Sequence, residues 1–403
     1  MHPVLTPDTW NKDMTKETRK ALLKPVKRAV VKVGSGVLTT QNGLNTEVIG
    51  ELTADLCGLK KQGLEIILVS SGAIASGLKK IGMSKRPQSV SQQQAMAAVG
   101  QSSLIRAYEK AFQGHGYQVA QILLTRDDLT HRRRYLNARN TLLTLLSWNI
   151  VPIINENDTV VVDEIKFGDN DNLSAMVTNL TESHLLVNLT DINGLYDKDP
   201  RTNEDARLIG VVDEVSREIM QHASSIPGFL GTGGMASKIR AAEKVAHGGV
   251  PTIIANGLRP GVLGRIFDGA EEGTLFLPRD IPLCSRKHWI AFTKAPKGEL
   301  VIDEGAQRAI LGNGKSLLPS GILGVKGRFS LGDKVVLVDG GGRELAVGMV
   351  NYHSGDIRKI MGLRSSGIEA ALGFKHDDEV IHRDNLVVTS EMEKEDGVCR
   401  LTK

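Results

Sequence analysis

Six short runs rich in valine, isoleucine and leucine recur between Arg28 and about Ala255, and longer helical patterns separate them. The runs are RAVVKVG, EIILVSSG, QVAQILLT, NIVPIINEN, HLLVNLTD and GVPTIIANG. They are apolar at nearly every position, as expected for strands that are covered on both faces of a parallel sheet. The intervening segments repeat apolar residues at the i, i+3, i+4 spacing of helices. This alternation predicts an open three-layer α/β/α sandwich with a mostly parallel sheet.

The pattern changes after residue 270. Pro278, Pro282 and Pro296 lie in a stretch with little periodicity, which indicates a linker. Beyond it, ELVID, GILGVKG, DKVVLVD, ELAVGMVNY and NLVVTS alternate apolar and polar residues between glycines, which predicts a small β-barrel. We therefore predict a polar extension at residues 1–24, an α/β domain at 25–275, a linker at 276–296, a β-rich domain at 297–390 and a charged tail at 391–403.

The overall composition excludes several classes of protein. The 50 lysines and arginines nearly balance 46 acidic residues, so the net charge of +4 does not indicate a nucleic-acid or membrane binder. Cys57, Cys284 and Cys399 are too widely spaced to predict a disulfide framework or a zinc site. No apolar run approaches the roughly 18 residues of a membrane span. We expect a cytoplasmic protein without a membrane segment.

Polar or glycine-rich turns follow several predicted strands: VKVGSGVLTT, VSSGAIASG, INENDTVVVDEIKFGDNDN and NLTDINGLYDKDPR. Ligands of open parallel sheets bind outside the carboxyl ends of the strands, so these turns are expected to meet at one crevice. In VKVGSG, Lys32 precedes Gly34 and Gly36, whose backbone can approach an anion. In GTGGMASK, glycines precede Lys238. Two lysines in separate glycine-rich loops suit phosphoryl transfer, in which charge on the moving group is offset from several directions.

Other interpretations of these motifs exist. VKVGSG alone fits a tight turn with an exposed lysine, GTGGMASK fits a flexible loop with a cap at Ser237, and NEND and GDNDN fit helix caps. AILGNGKS departs from the P-loop pattern at Ala309, and GTGGMA lacks the preceding strand of a dinucleotide fold. DNDN lacks the third ligand and the glycine of a calcium loop. The ten histidines show no ligand spacing, and HRRRYLNAR fits a solvated helix face. The occurrence of these polar turns together in one chain favours one shared site over unconnected caps.

Together the motifs resemble the amino acid kinase superfamily, and most closely its glutamate 5-kinase family. VKVGSG, VSSGAIASG, PIINENDTV, KFGDNDNLSA, LTDINGLYDKDPR and GTGGMASK occur here in the order of that family. The resemblance covers residues 28 to about 275, and the segment from 297 to about 390 is similar to a PUA domain. It implies the amino acid kinase fold and ATP-dependent, Mg²⁺-assisted phosphorylation of the γ-carboxylate of L-glutamate to γ-glutamyl phosphate, the first step of proline biosynthesis.

The resemblance also implies a role for each matching position. Lys32 and Lys238 match lysines that contact the ATP phosphates, and Asp171 matches the acid that orients them; these three are the expected catalytic residues. The expected ATP-binding residues also include Gly34, Gly36, Thr190, Asp191, Thr232, Gly233, Gly234, Met235, Ala236 and Ser237. The expected glutamate-binding residues are Ser71, Gly72, Asn155, Asp158, Asp169 and Asn170. No residue is assigned to the metal.

The expected chemistry needs no general base, because the γ-carboxylate of glutamate has a pKa near ~4.3 and is already ionised at neutral pH. The resemblance further implies feedback inhibition by L-proline and a homo-oligomer, either a dimer or a tetramer. Two alternatives remain open: the specificity of a sibling amino acid kinase, and a regulatory or RNA-associated module on the same fold. Residues 297–390 contain 12 basic and 12 acidic residues, so their net charge gives RNA binding no support.

Overall fold

A computed structural model describes residues 16–40, 43–83, 87, 89–160, 170–225, 234–278 and 295–388. The chain divides into two compact units, residues 1–279 and residues 280–403, which are described separately below. Within the described ranges, no helix is both long and apolar enough to cross a membrane.

The first unit contains ten strands and eleven helices among its described residues. The strands are β1 (Arg28–Val33), β2 (Thr39–Thr40), β3 (Gly43–Leu44), β4 (Glu65–Ser70), β5 (Val119–Leu124), β6 (Val151–Glu156), β7 (Leu185–Thr190), β8 (Val211–Val212), β9 (Thr252–Asn256) and β10 (Thr274–Phe276). The helices are α1 (Lys16–Leu23), α2 (Ser35–Leu38), α3 (Thr46–Lys61), α4 (Ala73–Ile81), α5 (Val90–Gln113), α6 (Arg126–Thr130), α7 (Arg132–Ser147), α8 (Asn170–Leu180), α9 (Arg217–Ser225), α10 (Met235–Ala246) and α11 (Val262–Phe267).

Eight of these strands form one sheet in the order β5-β6-β4-β1-β7-β9-β10-β8. The six predicted runs form β1, β4, β5, β6, β7 and β9, and neighbouring members of this set pair in parallel. The short strand β10 runs antiparallel to β9. The chain places β4, β5 and β6 on one side of β1 and β7 on the other, which creates a crevice at the carboxyl ends of β4, β1 and β7.

Successive side chains of the central strands pack on opposite faces of the sheet, as the strand geometry requires. Val31 and Val33 of β1 join a core with α3 and α5. Val30 joins a second core with α7, α8 and α10. Both faces are therefore covered by helices, and the predicted α/β/α sandwich is confirmed. The edge strand β5 differs from the other long strands, because Gln121 and Leu123 on it are exposed.

Helix α4 was not expected, since the stretch VSSGAIASG has the composition of a turn. It begins directly after Gly72, whose φ of +97° lies in the left-handed region that favours glycine. Helices α4 and α5 then cross very closely. A Cβ atom on Gly77 would lie 1.9 Å from the Met96 carbonyl oxygen, and one on Gly100 would lie 1.8 Å from the Ala73 carbonyl oxygen. Glycine at both positions permits this crossing.

Part of the predicted N-terminal extension is attached to the first unit. Residues 16–23 form α1, and Arg19 on this helix is buried. Its guanidinium donates hydrogen bonds to the carbonyl oxygens of Gly210, at 2.7 Å, and Glu272, at 3.4 Å. These bonds join α1 to the segments next to β8 and β10.

The second unit has its own sheet and core. It contains β11 (Gly298–Ile302), β12 (Ile322–Gly327), β13 (Lys334–Val338), β14 (Glu344–Met349) and β15 (Leu386–Val388), with helices α12 (Glu304–Asn313), α13 (Ser354–Ile360) and α14 (Ile368–Leu372). The sheet order is β12-β11-β13-β14-β15, and β11 and β13 form its parallel pair. All five predicted runs therefore form strands. The core includes the fully buried Tyr352, whose hydroxyl donates to the carbonyl of Asp377.

Candidate active site

The first unit brings two buried lysines onto one buried carboxylate. Lys32 lies near the end of β1, Asp171 lies in the first turn of α8, and Lys238 lies in the first turn of α10. The Lys32 Nζ is 2.6 Å from the Asp171 Oδ1, and the Lys238 Nζ is 3.2 Å from the Asp171 Oδ2. All three residues are less than 7% exposed. These elements are distant in sequence and meet at the carboxyl end of β1.

Two neutral groups complete the surroundings of Asp171. The Ser237 hydroxyl donates to its Oδ2 at 2.5 Å, and the Asn188 amide donates to its Oδ1 at 3.0 Å. Together with the two lysines, these donors match the roughly four lone-pair positions of a carboxylate. The orientation of the Asp171 carboxylate is therefore determined from both sides.

The charge of Asp171 is maintained by its neighbours. Burial alone would raise the pKa of this carboxyl group, but the positive charges of Lys32 and Lys238 oppose that effect. Hydrogen bonds from Lys32 and Ser237 lower the pKa further, and the net result is a pKa of Asp171 well below the usual range of a carboxyl group. Asp171 is consequently an anion throughout the neutral pH range, where it cannot serve as a proton donor.

The lowered pKa predicts how the stability conferred by Asp171 depends on pH. A carboxyl whose pKa is depressed in the folded state stabilises the fold above its unfolded-state pKa of about 3.9, and this contribution is lost as the pH falls further. We expect the stability difference between wild type and Asp171→Asn to be constant from pH 8 to pH 5 and to shrink below about pH 4. Urea unfolding across this range measures it. A difference that already shrinks between pH 7 and pH 5 would contradict the lowered pKa.

Lys32, Asp171 and Lys238 form what we call the lysine cluster. A second cluster, the amide cluster, lies next to it and contains the side-chain amides of Asn155 and Asn170. The Asn170 Nδ2 lies 3.0 Å from the Ser71 Oγ and 3.0 Å from the Asn155 Oδ1, and it also contacts the Ser70 carbonyl oxygen at 3.1 Å. Asn155 and Asn170 are buried, with 2% and 4% of their surfaces exposed. Because Asn170 and Asp171 are consecutive, the start of α8 contributes one residue to each cluster.

Two residues of the amide cluster were not expected from the sequence. The Gln101 Oε1 accepts a hydrogen bond from the Asn155 Nδ2 at 2.8 Å, and the Glu156 backbone amide donates to the Asn155 Oδ1 at 2.9 Å. Gln101 lies in α5, where it follows the crossing residue Gly100. Its helix carries four other glutamines, so composition does not distinguish it. Glu156 ends β6 and is buried.

The glycine loop after β1 is partly used by the fold itself. The backbone amide of Gly34 donates to the Leu189 carbonyl oxygen at 3.0 Å, so it is not available to an anion as the sequence suggested. A Cβ atom at Gly36 would lie 3.1 Å from the carboxylate of Asp191, which explains why glycine suits that position. The Thr190 hydroxyl donates to the Asp191 carboxylate at 3.0 Å. Thr190 and Asp191 therefore lie beside this loop, at the end of β7.

The remaining predicted residues that the structure describes divide between the core and the crevice. Gly234 immediately precedes α10, and Ser237 contacts Asp171. Met235 is buried in an apolar cluster against which Ala236 packs. Asp158 is buried in the turn that follows β6, and Gly72 caps α4 beside Ser71. Thr232, Gly233 and Asp169 lie outside the described residues.

The described residues do not provide a complete ligand set for Mg²⁺. Among them, no three histidine, cysteine, aspartate or glutamate side chains lie close enough together to hold a metal ion. Asp171 already has a donor for each of its lone-pair positions. Magnesium at nucleotide sites is commonly bound by phosphate oxygens and water with few protein ligands, and the residues here fit only that arrangement.

Comparison with known proteins gives two family matches. The amino acid kinase family matches residues 27–256, and the PUA domain matches residues 298–372. A glutamate 5-kinase of Syntrophotalea carbinolica is 54% identical, with 92% of this chain and 99% of that protein covered. A glutamate 5-kinase of Geobacter metallireducens is 56% identical, with 92% and 100% covered. A solved UMP kinase from Bacillus anthracis, 16% identical, covers 64% of this chain and 98% of its own with a TM-score of 0.44.

Proposed function

The chain belongs to the glutamate 5-kinases of the amino acid kinase family, and from that premise we propose how its two clusters divide the work. The enzyme phosphorylates the γ-carboxylate of L-glutamate with ATP and Mg²⁺, forming γ-glutamyl phosphate for proline biosynthesis. The lysine cluster receives the phosphates of ATP, and the amide cluster receives glutamate. The observation that carries this proposal is the convergence of Lys32 and Lys238 on Asp171, at 2.6 Å and 3.2 Å.

The main task of the lysine cluster is electrostatic. The acceptor carboxylate and the transferring phosphoryl group are both anions, so their approach requires positive charge on more than one side. Lys32 and Lys238 supply two charges from different loops, and Asp171 holds them together while removing only one charge. The cluster therefore keeps a net charge of +1 in a buried setting, where electrostatic attraction is stronger than in water. Bound Mg²⁺ would contribute further charge neutralisation at the phosphate oxygens.

The amide cluster suits the two ends of an amino acid. Asparagine amides donate to a carboxylate, and a buried acid such as Asp158 accepts from an ammonium group. Here the Asn170 Nδ2 donates to the Asn155 Oδ1, and the Asn155 Nδ2 donates to the Gln101 Oε1. A bound glutamate carboxylate would replace some of these bonds with charge-assisted ones, which are stronger. This exchange favours an anionic ligand over water.

The decisive experiment measures the acyl phosphate product. Incubation with ATP, Mg²⁺ and L-glutamate should release ADP, and hydroxylamine should trap the product as γ-glutamyl hydroxamate. L-aspartate and N-acetylglutamate, tested in parallel, should give little product. Turnover with either of these and none with glutamate would assign a sibling specificity. An absence of turnover with all three would favour a regulatory module.

Gln101 offers a test of the amide cluster that is separate from the lysines. Truncation in Gln101→Ala removes the acceptor of the Asn155 Nδ2, which leaves the Asn155 amide held only through its Oδ1. We expect KM for glutamate to rise about tenfold, as for the loss of one hydrogen bond to a charged ligand, while KM for ATP stays within twofold. The control is Gln92→Ala, an exposed position on the same helix. Equal KM values for glutamate in the two variants would exclude Gln101 from the substrate site.

Several finer properties belong to the same proposal. We assign residues 25–275 to catalysis, 276–296 to a linker and 297–390 to the PUA-like domain, with a cytoplasmic location. Feedback inhibition by L-proline and a homo-oligomeric assembly, as a dimer or a tetramer, follow from the family and are tested by inhibition kinetics and sedimentation. RNA binding by the PUA-like domain has no support from its net charge of zero. A gel-shift assay with salt titration tests it, and salt-sensitive retardation would reverse that view.

A further inference from the structure

Asn188 is a polar residue in the middle of an otherwise apolar strand. It lies in β7 with 0% of its surface exposed, in register with Lys32 on β1 and Ile254 on β9. Asparagine is disfavoured in strands, and a buried amide lowers stability unless both of its ends are hydrogen bonded. A leucine, as at positions 186 and 189 of the same strand, would fill this space without that cost. Packing therefore does not explain the residue.

The hydrogen bonding of Asn188 is one-sided. Its Nδ2 donates to the Asp171 Oδ1 at 3.0 Å, and since a carboxylate only accepts, this contact determines which way the amide faces. Its Oδ1 is fully buried and accepts no hydrogen bond from the described residues. The donor end is thus satisfied by the lysine-binding carboxylate at the expense of the acceptor end. Such a compromise is typical of residues retained for a functional site.

The position of this donor matters because the carboxylate is shared. Asp171 Oδ1 serves Lys32 and Asn188, and its Oδ2 serves Lys238 and Ser237. Each oxygen therefore holds one charged and one neutral donor. The neutral donors restrain rotation of the carboxylate without adding a charge. If one were lost, the carboxylate could turn, and both ammonium groups would move with it.

We propose that Asn188 is a positioning residue for phosphoryl transfer, which orients Asp171 so that Lys32 and Lys238 face the same transferring group. This inference rests on the proposed function of the lysine cluster. In this proposal Asn188 does not contact the substrate. Its replacement should therefore lower kcat and leave KM nearly unchanged. A displacement of catalytic groups by about 1 Å is enough to slow a reaction by up to about a hundredfold.

The test compares two variants that remove the donor and keep the size of the side chain. Asn188→Leu should lower kcat tenfold to a hundredfold, with KM for glutamate within about twofold of wild type. Its melting temperature should stay within about 3 °C of wild type, because an unpaired buried oxygen is removed along with one hydrogen bond. Asn188→Asp should lose at least as much kcat, since an ionised carboxylate cannot donate to Asp171 and competes for the lysines. This second variant decides the matter if the leucine variant does not fold.

The matched control is Thr252→Val on β9. Thr252 is also buried, its hydroxyl accepts or donates no hydrogen bond among the described residues, and it lies in register with Leu186. It should leave kcat unchanged. The inference would be overturned by an Asn188→Leu enzyme with kcat within twofold of wild type, by a rise in KM alone, or by an equal kcat loss in the control. A wild-type protein that forms no γ-glutamyl hydroxamate would instead remove the proposed function itself, and this inference with it.

Discussion

Replacing Asp171 by asparagine is expected to lower kcat about a thousandfold and to lower the melting temperature by on the order of 10 °C. An asparagine has nearly the same shape, but its amide would present a donor to Lys238 or Lys32. Two buried ammonium groups would then lose the carboxylate that they share. The sequence alone suggests that turnover would be lost with folding intact; the burial of both lysines changes that expectation.

The loss of activity and the loss of stability have one cause. Breaking a buried ion pair by removing one partner costs about 3–5 kcal/mol. Ammonium groups that no longer share the Asp171 carboxylate lose their common orientation toward the transferring phosphoryl group, and the loss of one such stabilising contact typically costs 10²–10³ in kcat. Kinetics by hydroxamate trapping and thermal unfolding with and without ATP measure both effects. ATP should restore part of the stability, because its phosphates replace the missing negative charge.

Glu272 provides a matched control for this experiment. It is also buried, and its carboxylate contacts two arginines, Arg259 at 2.9 Å and Arg265 at 2.5 Å. Glu272→Gln should lower the melting temperature by a smaller amount, since both arginines are partly exposed, and should leave kcat within twofold of wild type. An Asp171→Asn enzyme that keeps more than a tenth of wild-type kcat would remove Asp171 from the mechanism.

Gly100→Ala is expected to lower kcat/KM for glutamate about a hundredfold, although the change adds a single methyl group. The new Cβ would lie 1.8 Å from the Ala73 carbonyl oxygen and 2.4 Å from the Gly77 backbone nitrogen. Ordinary contacts begin at 3.4 Å, so α4 and α5 must separate by more than an ångström. Ala73 directly follows the Ser71–Gly72 turn, and Gln101 directly follows Gly100 on α5. The separation of α4 and α5 would therefore move Ser71 and Gln101, two members of the amide cluster, apart.

The effect of Gly100→Ala should be specific to glutamate. KM for ATP should change by less than twofold, and the melting temperature should fall by several degrees, as for overpacking of about 1–3 kcal/mol. Gly50→Ala is the matched control, because Gly50 lies inside α3 and a Cβ there would contact nothing within 4 Å. Alanine is the better helix former, so this control should gain about 0.5–1 kcal/mol of stability. Similar glutamate kinetics in both variants would show that the crossing does not set the substrate site.

Much of the fold follows from local patterns. The six apolar runs of the first unit and the five alternating runs of the second all form strands. The two-residue strand β8 and the three-residue strand β10 were missed because such short segments carry no periodic signal. Helix α4 was missed because its glycine and serine residues have the composition of a turn, while the structure uses the glycine for a close helix crossing.

The sequence by itself determined the eleven predicted strands, the amphipathic helices between the long strands of the first unit, and the motifs that contain Lys32, Asp171 and Lys238, because hydrophobic period and turn chemistry are local properties. Only the tertiary structure decided that Asn188 and Gln101 support the two clusters, and that the Gly34 amide is already bonded. Periodicity indicates which face of a strand is buried, but not which strand lies beside it. Because β1 lies between β4 and β7, residues far apart in the chain become neighbours only after the sheet forms.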